Sequence, residues 1–346
     1  MVIGTIAAEN YLPKAMHMAE TTRRYHPDAT IVLLLVEKTM HPAAREGGFF
    51  DHALLARDLR LPQFHHFAFR HTAIELATAV KPAFLQHLLR VFPDDDLFYY
   101  VDPDIEVHGP FVEADEALAT GHILVTPHHL EDITNPQDII DLVLPVLRCG
   151  IFNLGFLGLR RSEVTKAFLA WWAHKVSFMC YVDYGQGLFV DQKWVDLACG
   201  LFPLTILTEP GYNVARWNLV RRPIAMGDGG YRVCGRPLRS LHFSQADIGK
   251  DQLYLRRHAP QGTEPIHGLR REYLRRTREI KEQIGARDTW SYDYFDSGER
   301  ISMDARVTVR HRPQLLADAV DPFASSGDAI FAARARESDR TQVATD

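Results

Sequence analysis

The chain has 346 residues, 46% of them hydrophobic and 24% charged, with a formal net charge of −5. That length buries a sizeable core in one large or two modest domains, and the acidic balance excludes a nucleic-acid binder, which needs a dominant basic field. Four cysteines, Cys149, Cys180, Cys199 and Cys234, form no C-x-x-C pair and no zinc spacing, and they read as reduced thiols of a cytosolic enzyme.

Residues 2–7 form a short apolar strand. No signal-peptide pattern precedes it, and no apolar stretch reaches the ~20 residues of a membrane span, so a cytoplasmic location is expected. Residues 11–25 carry Leu12, Ala15, Met16 and Ala19 at helical spacing, and 31–36 are an aliphatic run suited to a strand buried on both faces. Residues 64–69 read as a third strand, and 72–91 as a helical stretch interrupted by Pro82. A fourth strand, 97–101, stops at Asp102-Pro103-Asp104, and 122–127 read as a fifth. This βα alternation implies a mainly parallel sheet covered by helices, in which ligands sit at the carboxyl ends of the strands.

The second half is less regular. Residues 151–159 alternate large side chains with Asn153, Gly155 and Gly158, Ser162 opens a helix to about residue 179, and 187–197 read as another helix. Segments from 200 to 244 are short and punctuated by Gly and Pro. Ile266, Leu269, Tyr273, Ile280 and Ile284 mark the apolar stripe of a further helix. Residues 334–346 are polar and charged, a composition that predicts a disordered tail.

Asp102-Pro103-Asp104 puts two carboxylates just beyond a hydrophobic strand, and Pro103 stiffens the projection. Hard oxygen ligands at i and i+2 suit Mn²⁺ or Mg²⁺, which also bind phosphate oxygens; the plain alternative is a solvated turn.

Taken in order, these residues resemble the bacterial GT-A glycosyltransferases and, more remotely, the glycogenin-type retaining enzymes. The pieces are Thr5-Ile6-Ala7-Ala8 with Asn10-Tyr11-Leu12, Lys81-Pro82, Tyr100 to Ile105, Phe152 to Phe156, Asp191-Gln192, Gly211-Tyr212-Asn213, His242-Phe243-Ser244 and Tyr292 to Gly298. The resemblance implies a GT-A (nucleotide-diphospho-sugar transferase) fold, α/β with a mainly parallel central sheet flanked by helices and a helical C-terminal extension. Its expected division is a catalytic domain 1–245, split into a nucleotide-binding half 1–127 and a donor-sugar and acceptor half 128–245, then the extension 246–333 and the tail 334–346.

The resemblance also implies roles. Thr5, Ala7 and Ala8 would line the nucleoside pocket, and Lys81 would face the diphosphate or a donor-sugar hydroxyl. Asp102 and Asp104 would bind donor and metal, with His242 as third metal ligand, although Phe243-Ser244-Gln245 departs from the Gly and Lys-Pro that follow this His in glycogenin-type enzymes. Asn153, Asp191 and Gln192 would surround the anomeric centre. The implied reaction moves a sugar from a nucleotide-sugar, a UDP-sugar being favoured, to an acceptor the sequence does not name, with metal assistance. The glycogenin-type likeness favours retention but leaves stereochemistry open, Asp191 being a base in an inverting enzyme or a sugar-binding group in a retaining one. Structural readings stand beside these: a strand-end His, a strand bulge at Gly155 and Gly158, a local cap at Asp191. Arg216, Arg221 and Arg222 around Trp217 suit diphosphate or acceptor contacts, and the basic helix 266–284 offers either a solvated face or peripheral contact with an anionic membrane. Two rival functions are an inactive scaffold on the same fold and a haloacid-dehalogenase-type phosphatase; against the latter, Glu106 stands where that family expects Thr or Val.

Overall fold

The computed structural model describes residues 1–248, 252, 255–256, 264–317 and 319–324. The tail 334–346 lies outside the described residues. The first strands are β1 (Val2–Ala7), β2 (Thr30–Leu35), β3 (His52–Leu55), β4 (Leu97–Val101), β5 (Ile105–Val107), β6 (Ile123–Pro127) and β7 (Phe152–Arg160). A seven-stranded sheet runs in the order Leu204–Ile206, β6, β7, β4, β1, β2, β3. All its pairings are parallel except those of β7, which runs against β6 and β4. The expected mixed α/β architecture is therefore present.

Burial on both faces explains the aliphatic run of β2, where Ile31 to Leu35 are fully or almost fully enclosed. On one side Leu12, Ala15, Met16 and Ala19 of the helix Leu12–Tyr25 pack with Ile31, Leu33 and Leu35. On the other, Phe84, Leu85 and Leu88 of the helix Lys81–Val91 pack with Val32, Leu34 and Phe98. Pro82 sits in the first turn of that helix, where its missing N–H costs nothing, so the interrupted stretch resolves into Ala73–Ala79 and Lys81–Val91. Ser162 caps Glu163–Phe178 by accepting from the Thr165 amide.

Two expectations fail. Residues 64–69 form a helix, because Phe64, Phe67 and Ala68 are spaced for one helical face, and the third strand is instead the short edge strand β3. Residues 187–197 are not one helix: Val190 has φ +42, separating the strand Leu188–Phe189 from the four-residue helix Gln192–Val195, so Asp191 precedes a helix rather than lying within one.

The C-terminal part closes back on the first half. Tyr273 of the helix Glu264–Ile284 stacks on Phe243 at 4.0 Å, and Ile280 joins the cluster of Leu12 and Met16. Several of this helix's basic groups meet carboxylates: Arg275 meets Glu272 and Glu279, Arg276 meets Glu20 at 3.0 Å, and Lys281 meets Asp288. Trp290, Tyr292 and Phe295 enter the main core beside Phe64 and Phe69. Arg306, fully buried, donates to the carbonyls of Phe69, His71 and Tyr292 and to Asp293.

Candidate metal and donor site

A small second sheet builds the site. Strand Ser240–His242 pairs antiparallel with β5, setting His242 opposite Ile105, and the Phe243 amide donates to the Asp104 carbonyl at 2.8 Å. The imidazole thus lands on the Asp-Pro-Asp projection. His242 Nε2 is 3.0 Å from Asp104 Oδ1 and 3.9 Å from Asp102 Oδ2. One ligand atom from each of Asp102, Asp104 and His242 falls within 4.8 Å of the others.

The donor set, two carboxylates and an imidazole, fits a divalent cation of the Mn²⁺ or Mg²⁺ kind. Space for it is kept by Gly155: a Cβ there would lie 2.7 Å from His242 Cε1, 2.8 Å from Asn153 Oδ1 and 2.9 Å from Asp102 Oδ2. The register of β6 and β7 jumps at this point, from Val125 opposite Leu157 to Thr126 opposite Asn153, so Leu154, Gly155 and Phe156 are left out of the β6 pairing. The bulge reading therefore holds at Gly155 but not at Gly158, which stays in the regular ladder opposite Tyr99 and Leu124.

Electrostatics follow from burial and charge together. Burial opposes ionisation of Asp104, but His242 and then Lys14 outweigh it and hold the carboxyl below its usual range. For His242 burial again opposes charge, while Asp104 and then Asp102 lift the imidazole above its usual pKa. Tyr100, two residues before Asp102 and on the same strand face, donates its hydroxyl to Asp102 Oδ1 at 2.7 Å.

A second charge pair lies alongside. Lys81 Nζ is 3.0 Å from Asp191 Oδ2, with side chains 3% and 2% exposed, and 4.3 Å from the centre of the Tyr100 ring. Burial would lower the ammonium, but Asp191 and Asp102 reverse that and raise it. Burial raises the Asp191 carboxyl, Lys81 opposes this, and Asp102 adds to it. Gln192 spends its amide on the backbone, accepting from Leu154 N at 3.3 Å and donating to Cys149 O at 3.0 Å.

The structure thus brings together Asp102, Asp104 and His242, links Lys81 to Asp191, and sets Asn153 against Gly155. Thr5 and Ala7 lie in the carboxyl half of β1 and Ala8 just follows it, at the same sheet edge, since Gly4 lies opposite Tyr100 in the parallel register. Arg222 is buried and donates to Tyr212 O at 3.3 Å, and Arg216 donates to Gln245 at 2.9 Å. Sequence reasoning gave no role to Tyr100, Thr126, His128 or Asn213. The strand period of two marks Tyr100; His128, 3.4 Å from Asn153 Nδ2, and Thr126 carry no comparable signal.

No family model matches the chain. It is 31% identical to the uncharacterized protein YfnF of Bacillus subtilis (strain 168) over 183 residues, which are 49% of this chain and 56% of YfnF. The match therefore spans little more than half the length of that relative. The uncharacterized protein YfnD of the same organism is 22% identical over 250 residues, 70% of this chain and 76% of YfnD. Among solved structures the chain is similar to galactosyltransferase LgtC in complex with donor and acceptor sugar analogs, at 16% identity and a TM-score of 0.43, covering 84% of this chain and 97% of that one. It is also similar to a glycosyltransferase involved in glycosylation of the major capsid of PBCV-1, at 9% identity and TM-score 0.40, covering 73% and 99%. For mouse xyloside xylosyltransferase 1 the values are 14% and 0.35, covering 70% and 97%.

Proposed function

We propose that this chain is a metal-dependent glycosyltransferase of the GT-A kind, moving a sugar from a nucleotide-diphosphate-sugar, with a UDP-sugar favoured, to a separate acceptor. The observation that carries the reading is the convergence of Asp102, Asp104 and His242 at the carboxyl edge of parallel strands, with the Lys81–Asp191 pair beside them.

Asp102, Asp104 and His242 would hold Mn²⁺ or Mg²⁺, which when bound supplies positive charge to a departing diphosphate. Lys81 adds a fixed cation on the same edge, held charged by Asp191 and Asp102. Asn153, anchored by the Gly155 amide, presents a rigid group to a sugar, and Gln192, whose amide bonds Leu154 N and Cys149 O, holds that stretch of backbone in place. Asp191, buried and held by Lys81, acts in this account as an orienting group rather than a free base, which agrees with the retention favoured by the likeness to glycogenin-type enzymes. Thr5, Ala7 and Ala8 would line the nucleoside pocket. We assign residues 1–127 to nucleotide binding, 128–245 to the donor sugar and acceptor, and 246–333 to the extension.

The test is release of nucleoside diphosphate from a panel of nucleotide-sugars with Mn²⁺, for wild type and Asp104→Asn. Release that needs the cation and disappears in a folded Asp104→Asn supports the reading. Equal release by the variant, or with chelator present, defeats it.

A further inference from the structure

The amide of Asn213 links the two sides of the site, and its orientation is forced. The Gly155 backbone N–H donates to Asn153 Oδ1 at 3.0 Å, which identifies that atom as the oxygen of its amide. Asn213 Nδ2 lies 2.9 Å from the same oxygen, 2.9 Å from Thr126 Oγ1 and 3.3 Å from the Asn153 carbonyl. Thr126 Oγ1 spends its own proton on that carbonyl at 3.0 Å, so all three partners accept and only the nitrogen can face them. The Asn213 oxygen is thereby turned to His242 Nδ1, 3.0 Å away, and an acceptor there requires a proton on Nδ1. Nε2 is the ring atom that faces the Asp104 carboxylate. Asn213 holds this pose with φ +48, a conformation that Asn tolerates better than most residues.

We propose that Asn213 is a positioning residue that fixes the Nδ1–H form of His242, so that Nε2 offers its lone pair to a divalent cation between Asp102 and Asp104, and that it ties this ligand to the Asn153 amide. The inference rests on the cation-site reading given above. Hydrogen bonds of this kind to the far nitrogen of a ligating His orient the ring and raise its basicity.

The test compares the full chain with Asn213→Gly and Asn213→Asp, titrated with Mn²⁺ and followed by electron paramagnetic resonance of the free ion, with thermal melts as a check on folding. Glycine adopts φ +48 without strain, so that variant removes the side chain and spares the backbone. Aspartate keeps an acceptor for His242 Nδ1–H but loses both donors. Asn213→Gly should weaken Mn²⁺ binding by ~10–100-fold, and Asn213→Asp should restore part of it, since its second oxygen faces acceptors that the amide nitrogen satisfied. In both variants a UDP-sugar should stabilise no more than UDP, because the bond to Asn153 is gone. Wild-type Mn²⁺ affinity in Asn213→Gly, or equal weakness in both variants, overturns the role of Asn213. A wild type that takes up no Mn²⁺ defeats the cation site itself, a distinct result.

Discussion

Replacing Gly155 by Ala adds one methyl group where three site residues meet. The new carbon would sit 2.7 Å from His242 Cε1, 2.8 Å from Asn153 Oδ1 and 2.9 Å from Asp102 Oδ2. Comfortable contacts are ~3.5–4.0 Å, so each neighbour must retreat by roughly 0.6–1.3 Å. None retreats freely. Asn153 Oδ1 is held by Gly155 N and Asn213 Nδ2, and His242 Nδ1 by Asn213 Oδ1. Overpacking of this kind costs about 1–3 kcal/mol of stability, and a ~1 Å displacement of a functional group costs roughly 10²-fold. Guanidinium chloride unfolding and Mn²⁺ titration of the same preparation should therefore show a modest loss of stability beside a large loss of cation affinity. A folded Gly155→Ala that binds Mn²⁺ as wild type does would refute the claim that this glycine keeps the site open.

Three further outcomes are expected. Lys81→Met leaves the Asp191 carboxylate buried without its cation and should cost about 3–5 kcal/mol in denaturant unfolding, most of it recovered when Asp191→Leu is added. Arg306→Met strips donors from the Phe69, His71 and Tyr292 carbonyls and from Asp293, so equilibrium unfolding should register a loss of at least ~3 kcal/mol. His71 is pushed down to about 3 because burial disfavours its charged ring. The unfolded chain therefore binds the extra proton below pH ~6.5, and stability, fully present above that value, should fall by up to ~1.4 kcal/mol per pH unit toward pH 3. Urea melts at several pH values should show a shallower fall for His71→Gln; an identical slope would remove His71 from the account.

Much of the fold was legible because its strands are buried on both faces and carry unbroken aliphatic runs, as β2 does. The edge strand β3 was not, since exposed His52 and half-buried Ala53 give it no such run, while the aromatic stretch Phe64–Phe69 imitates one. The positive φ of Val190, which ends a predicted helix before it starts, leaves no mark in the residue type. In the site, Asp102 and Asp104 announce themselves by spacing, and the resemblance drew in His242. That Asp104 and His242 touch depends on an antiparallel pairing of residues 105–107 with 240–242, a contact no local pattern encodes. The same holds for Asn213, whose partners Thr126, Asn153 and His242 come from three separate segments.

The most direct test of the central claim is thermal stability against nucleoside diphosphates and nucleotide-sugars, each with Mn²⁺, with Mg²⁺ and with chelator. A ligand at ~100 times its dissociation constant adds about 2.7 kcal/mol to the native state. The account predicts a clear upward shift for one diphosphate family, uridine first, that vanishes with chelator and in Asp104→Asn. A folded protein whose melting is unmoved by every donor, or moved equally with chelator present, would contradict it.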